Sequence, residues 1–147
     1  VDDATADTRM SDDPNKINPA ITETLTRLML GGLPTGRAGG PLHCRLRYFD
    51  PESRRAGIPE DVAALVSRLT EDETTVTLVN VNQTESRIVI VQGGAYAEHQ
   101  IKHALLAGDI IPVDGPHFTV HLSPGGAGEL TLKMKRYVNQ PTFRFPW

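Results

Sequence analysis

Four histidines carry the spacing in this sequence that most invites a chemical reading. His99 and His103 are four residues apart, as are His117 and His121, and Glu98 precedes the first pair. On a strand or a helix an i, i+4 pair shares a face. The four rings and Glu98 can therefore be drawn as a histidine–carboxylate set of the kind that holds an open transition-metal site. Against this, neither HxH nor HExxH occurs, and the period of a strand places many such pairs on one face with no ligand involved. The metal set His99, His103, His117, His121 and Glu98 is thus the alternative reading, and the primary expectation is no cofactor. A corollary is that exchanging His99 and His121 together for Gln leaves the melting temperature nearly unchanged.

Three further features could do chemistry and are weighed in the same way. Cys44 falls on the inward side of the alternation in LHCRLRYF, and no recognisable motif sets a base beside it, so it reads as a small core hydrophobe. The segment from Gly31 to Pro41, GGLPTGRAGGP, has the glycines of a phosphate-cradling loop. It lacks both a preceding strand and the Lys-Ser/Thr and helix start such a loop requires, so it reads as a surface loop. The C-terminal run places Tyr137, Phe143, Phe145 and Trp147 among prolines. Such a segment is no central strand and has to pack on something, and exposed rings serve either an interface or a stacked sugar.

The elements expected to position these residues are mostly strands. TTVTLVNVNQTESRIVIVQ, from Thr74 to Gln92, is the longest strand-like stretch and divides at a polar corner into two β-branched halves. The expected pairing is a hairpin of Thr74–Asn82 with Arg87–Gln92, with Leu78 and Ile90 in the core. Phe118–Leu122 and Leu130–Tyr137, joined by Ser123-Pro-Gly-Gly-Ala-Gly128, are expected as a second antiparallel pair. Strands are also expected at His43–Phe49 and His99–Leu105, with turns filling Ala104–Pro116. Two short helices precede the central stretch. One enters at Asn18-Pro19, shows Ile21, Leu25, Leu28 and Met29 on one face, and stops at Gly31-Gly32; the other opens at Pro59-Glu60-Asp61 with Val62, Leu65, Val66 and Leu69 as its stripe. The fold class is therefore mainly β: an antiparallel, immunoglobulin-like β-sandwich with two short N-terminal helices.

Composition narrows the rest. A chain of 147 residues suits one domain, here 18–147, after a flexible acidic segment 1–17 that contains Asp2, Asp3, Asp7, Asp12 and Asp13. A net charge of −3 and 5% aromatics argue against nucleic acid as a partner. No apolar run approaches bilayer length, so no membrane partner is expected. One cysteine leaves the redox compartment open. A first residue that is Val1 reads as a processed subunit or an excised domain.

The pattern F-x-V-x-L-x-P-G-x-x-x-x-L-x-L, from Phe118 to Leu132 within the stretch Thr77 to Met134, is similar to bacterial immunoglobulin-like accessory domains that stand beside the catalytic modules of secreted carbohydrate-active enzymes. That resemblance implies a non-catalytic accessory or C-terminal domain or subunit, serving docking and stability within a larger polypeptide or against a partner chain. It also inclines the location toward an extracellular or periplasmic one. The alternatives are a small metal-binding protein or enzyme built on the histidines, and a carbohydrate-binding module built on Tyr137, Phe143, Phe145 and Trp147.

Overall fold

The computed structural model describes residues 23–32 and 43–147. The acidic segment 1–17, the Asn18-Pro19 helix entry and the glycine-rich stretch beyond Gly32 lie outside the described residues. Among those described is one helix, α1 (Glu23–Leu30), and nine strands: β1 (Leu46–Asp50), β2 (Arg55–Ala56), β3 (Val62–Leu69), β4 (Glu73–Asn80), β5 (Arg87–Gly93), β6 (Gln100–Leu106), β7 (Asp109–Gly115), β8 (His117–Leu122) and β9 (Ala127–Lys135). They form two antiparallel sheets, ordered β2-β1-β5-β8 and β3-β4-β9-β6-β7. Their inner faces share one core in a sandwich-like arrangement: Leu46, Tyr48, Val89, Val91, Val120 and Leu122 from the first sheet meet Val76, Leu78, Ile101, Leu130, Leu132 and Met134 from the second.

The expected central hairpin does not form. β4 pairs with β3 and β9, whereas β5 pairs with β1 and β8 in the other sheet. The corner Val81–Ser86 folds on itself: the Asn82 Oδ1 accepts from the amides of Thr84 and Glu85 at 2.9 Å each. The chain therefore crosses between layers instead of reversing within one. β8 and β9 are likewise split between the sheets, because the Ser123–Gly126 turn carries the chain across. Both crossings meet at Asn80, which is fully buried. Its Nδ2 donates to the Glu85 carbonyl at 2.7 Å and to the Ser123 carbonyl at 3.1 Å, and its N–H donates to the Gly126 carbonyl.

Three other expectations are corrected. The second helix, 59–69, is strand β3: Val62 and Val66 are buried while Leu65 and Leu69 are exposed. A spacing of four residues fits a helix and a strand face equally well, and Asp61 at φ 63° is not a helix start. In β5 the core residues are Val89 and Val91, and Ile88 and Ile90 are only half-buried on the outer face. The turns assigned to Ala104–Pro116 instead contain β7, which pairs with β6. Of the first helix, α1 ends as expected at Gly31, φ 61°, whose amide donates to the Arg27 carbonyl. Its packed side is nevertheless Met29 and Leu30, both half-buried against the core, with Leu25 67% exposed.

Candidate functional site

The four histidines do not converge. His103 pairs with Pro112 and Lys133 beside the inward Ala104 and Leu132, so it faces outward from the five-stranded sheet. His117 and His121 face outward from the four-stranded sheet, since Val120 and Leu122 of the same strand are in the core. The core thus lies between them. Four residues along a strand also span roughly 13 Å, far beyond what one metal ion with bonds near 2 Å can bridge. Among the described residues no group of three or more His, Cys, Asp or Glu is placed to hold a metal.

Glu98 and His99 have a different setting, in the loop between β5 and β6. Gly93 and Gly94 open this loop. A Cβ on Gly94, φ 86°, would stand 2.3 Å from the Glu98 carboxylate, and one on Gly93 would stand 2.8 Å from the His99 carbonyl. Glycine is required for that close approach. The carboxylate of Glu98 accepts from the amides of Tyr96 at 2.7 Å and Ala95 at 3.3 Å. Its carbonyl accepts from Val138 and Asn139, and the Tyr96 carbonyl accepts from Thr142. The loop is the seat of the C-terminal segment.

That segment, 138–147, runs over the outside of the four-stranded sheet as a strap. Phe143 meets Tyr96 edge-on at 5.2 Å, and Phe145 and Trp147 both meet Phe49 edge-on, at 5.8 and 5.9 Å. Phe49 points outward by the alternation of β1 yet is buried, because the strap covers it. Arg47 braces the region, donating to the Ala95 carbonyl and lying 5.0 Å over the Phe49 ring. Phe145 and Trp147 stack at 5.1 Å with 18° between their planes. The strap remains open on its far side, with Phe143 84% exposed, Phe145 49% and Trp147 42%.

At the other flank of the Glu98–His99 loop is a cleft of about 170 Å³, lined by Gly31, Gly32, Cys44, Arg45, His99 and Arg136 together with His43 and Tyr137. The cleft brings a thiol and an imidazole together, which the sequence reading missed because Cys44 precedes β1 whereas His99 precedes β6, far along the chain. They do not form a catalytic pair. Both nitrogens of His99 are turned elsewhere: Nδ1 accepts from the Tyr137 amide at 3.2 Å, and Nε2 lies 4.0 Å from the Glu98 carboxylate. Burial, with the Glu98 charge adding to it, pushes the Cys44 thiol up to about 12, the opposite of an activated nucleophile. Burial also holds the His99 imidazole below its usual pKa, with Glu98 opposing that effect and Arg136 and Arg45 reinforcing it.

The charged groups of the cleft are the two arginines. Arg45 ties down the turn before β4 by donating to the carbonyls of Thr70 at 2.6 Å and Glu71 at 3.2 Å. Desolvation, followed by the Arg136 charge, lowers its pKa, so the two guanidinium groups repel one another across the cleft. Arg136 lies 5.0 Å over the Tyr137 ring and donates to that residue's hydroxyl. Its Nε–H is buried without an acceptor among the described residues, a deficit worth about 1–3 kcal/mol. Comparisons of the chain with protein-family models, curated proteins and solved structures returned no match.

Proposed function

We propose that this chain is a non-catalytic β-sandwich accessory domain or subunit of a larger bacterial enzyme, a carbohydrate-active one in the reading the sequence pattern suggests, and that it docks through its C-terminal aromatic strap. An immunoglobulin-like relationship is the finer form of this proposal, supported by the repeated crossings of the chain between the two antiparallel sheets. The observation that carries the reading is the ordered but uncovered row Phe143, Phe145 and Trp147. Hydrogen bonds to the Tyr96 and Glu98 carbonyls and ring contacts to Phe49 and Tyr96 fix its position, while much of its apolar surface faces solvent. Pre-ordered aromatic surface loses little conformational entropy on association and is what interface anchors are made of. The same geometry argues against a sugar platform in the strap. The near-parallel stack of Phe145 on Trp147 hides one face of each ring, whereas a saccharide needs open faces side by side.

A photo-crosslinking residue at position 143, introduced in the native host, tests the docking. The expected product is a defined adduct with another domain or chain, absent when the same residue replaces the exposed Glu129 on the opposite sheet. If position 143 gives no adduct beyond that of position 129, the docking reading fails. Saturable quenching of Trp147 fluorescence by a neutral oligosaccharide would replace it with the carbohydrate-binding alternative.

A further inference from the structure

The cleft holding Arg45 and Arg136 continues into a larger groove. Arg136 and Tyr137 line both cavities, and the groove, about 760 Å³, is bordered further by Lys102, Lys133, Lys135, Glu71 and Asp72. Counting formal charges, the groove and cleft together present Arg45, Arg136 and three lysines against Glu71 and Asp72, with Glu73 and Asp114 in contact from just outside, so five cations meet four carboxylates on a chain whose net charge is −3. Two of the lysines are already engaged by carboxylates. Lys133 pairs with Asp72 at 2.5 Å and Glu73 at 3.4 Å, and Lys102 pairs with Asp114. Arg45, Arg136 and Lys135 have no carboxylate within 4 Å among the described residues. The positive charge left without a carboxylate in contact is thus that of Arg45, Arg136 and Lys135.

The arginines are also held in place before any ligand arrives. Arg45 is fixed by two carbonyls, and Arg136 by the face and hydroxyl of Tyr137. Tyr137 itself sits at φ 55°, a conformation a bulky side chain adopts only when its surroundings impose it. Two planar guanidinium groups that repel each other across a concave, partly desolvated site still carry N–H groups beyond those given to Thr70, Glu71 and Tyr137, and the oxygens of a carboxylate or phosphate are the acceptors that suit them.

We propose that Arg45 and Arg136 form an oxyanion site for a carboxylate- or phosphate-bearing small molecule, whose remainder lies over Tyr137 and along the groove toward Lys135. The site is separate from the aromatic strap. Its failure would leave the docking proposal untouched, and the reverse holds too.

Nitrogen-15 NMR of the arginine Nε–H groups and of the Tyr137 amide, recorded during titration with inorganic phosphate and separately with glucuronate, tests the site, with sodium chloride at matched ionic strength as the control. The expected result is saturable shifts at Arg136 and Tyr137 with at least one of the two anions and not with chloride. Saturation by phosphate alone, by glucuronate alone or by both identifies the source of the oxyanion. Arg136→Gln is expected to weaken binding by about tenfold or more, equivalent to ~1.4 kcal/mol, and Lys135→Gln by less. Should Arg136→Gln fail to fold, Arg136→Lys keeps the charge without the fork and is expected to weaken binding as well. Shifts that stay linear, that chloride reproduces, or that both Arg45→Lys and Arg136→Lys leave unchanged would overturn the proposal.

Discussion

The backbone N–H of Tyr137 donates to Nδ1 of His99, so the neutral imidazole carries its proton on Nε2, toward Glu98. This one bond joins the end of β9 to the loop that seats the strap. It also makes His99 structural: the ring is 1% exposed, in contrast to the outward-facing His121. Replacing His99 by Gln should therefore lower stability, and with it that of the double His99, His121 exchange for which a nearly unchanged melting temperature is expected from the sequence.

Stability should fall on mild acidification. Burial lowers the pKa of both His99 and His117 in the folded chain. Around the ordinary histidine pKa, near 6.5, the unfolded chain accordingly binds protons first, and stability rises with pH. The contribution is complete above that value and is lost as pH drops toward the folded-state pKa values. Urea midpoints measured from about pH 7.5 down to about pH 5 should decline, and the double variant His99→Gln, His117→Gln should show a shallower decline from a lower starting stability. A wild-type midpoint that is flat across this window would mean the rings are not held neutral by the fold.

Leu78 of β4 and Ile90 of β5, both expected in the core from the sequence, should respond differently to truncation. Leu78 is fully buried between the sheets, so Leu78→Ala is expected to cost about 2–5 kcal/mol in equilibrium unfolding. Ile90 lies half-buried on the outer face, opposite Thr119 and Phe49. Ile90→Ala should cost clearly less, and equal losses would contradict the assignment of faces.

Thr74 offers a stabilising substitution. Its side chain is fully buried and Oγ1 has no partner among the described residues. Thr74→Val keeps the shape and the β-branch while removing a desolvated hydroxyl, so a gain of about 1–3 kcal/mol is expected. Calorimetry showing a lower melting temperature for Thr74→Val would point to a hydrogen bond made by that hydroxyl.

Cys44 should resist modification in the folded chain. With the thiol pushed up to about 12, almost no thiolate exists at neutral pH. Alkylation by iodoacetamide should therefore be slow under native conditions and accelerate on adding denaturant. Rapid labelling of the folded protein would show an exposed, ionised thiol and reopen the Cys44–His99 pair as chemistry.

Local features were legible in the order of residues. Alternation placed Leu46, Tyr48, Val76 and Leu78 in the core, Gly31 stopped α1, and the prolines kept the segment after Tyr137 out of the sheets. Strand character follows from each residue's own φ/ψ preferences and from the period of two, which are local properties.

Which strands pair emerged from the packed fold. A strand with one apolar face looks the same whether its neighbour lies beside it in a sheet or opposite it across the core. β4 and β5 therefore read as a hairpin until Asn80 and the Asn82 corner send the chain across. The same ambiguity hid β3, whose Val62 and Val66 suit either period. It also decided the site residues. His103 and His117 fall on opposite outer faces, while Arg45 and Arg136, 91 positions apart in sequence, come to line one cleft because the start of β1 and the end of β9 meet at the same end of the sandwich. No local pattern encodes that meeting; it follows from closing two sheets over one core.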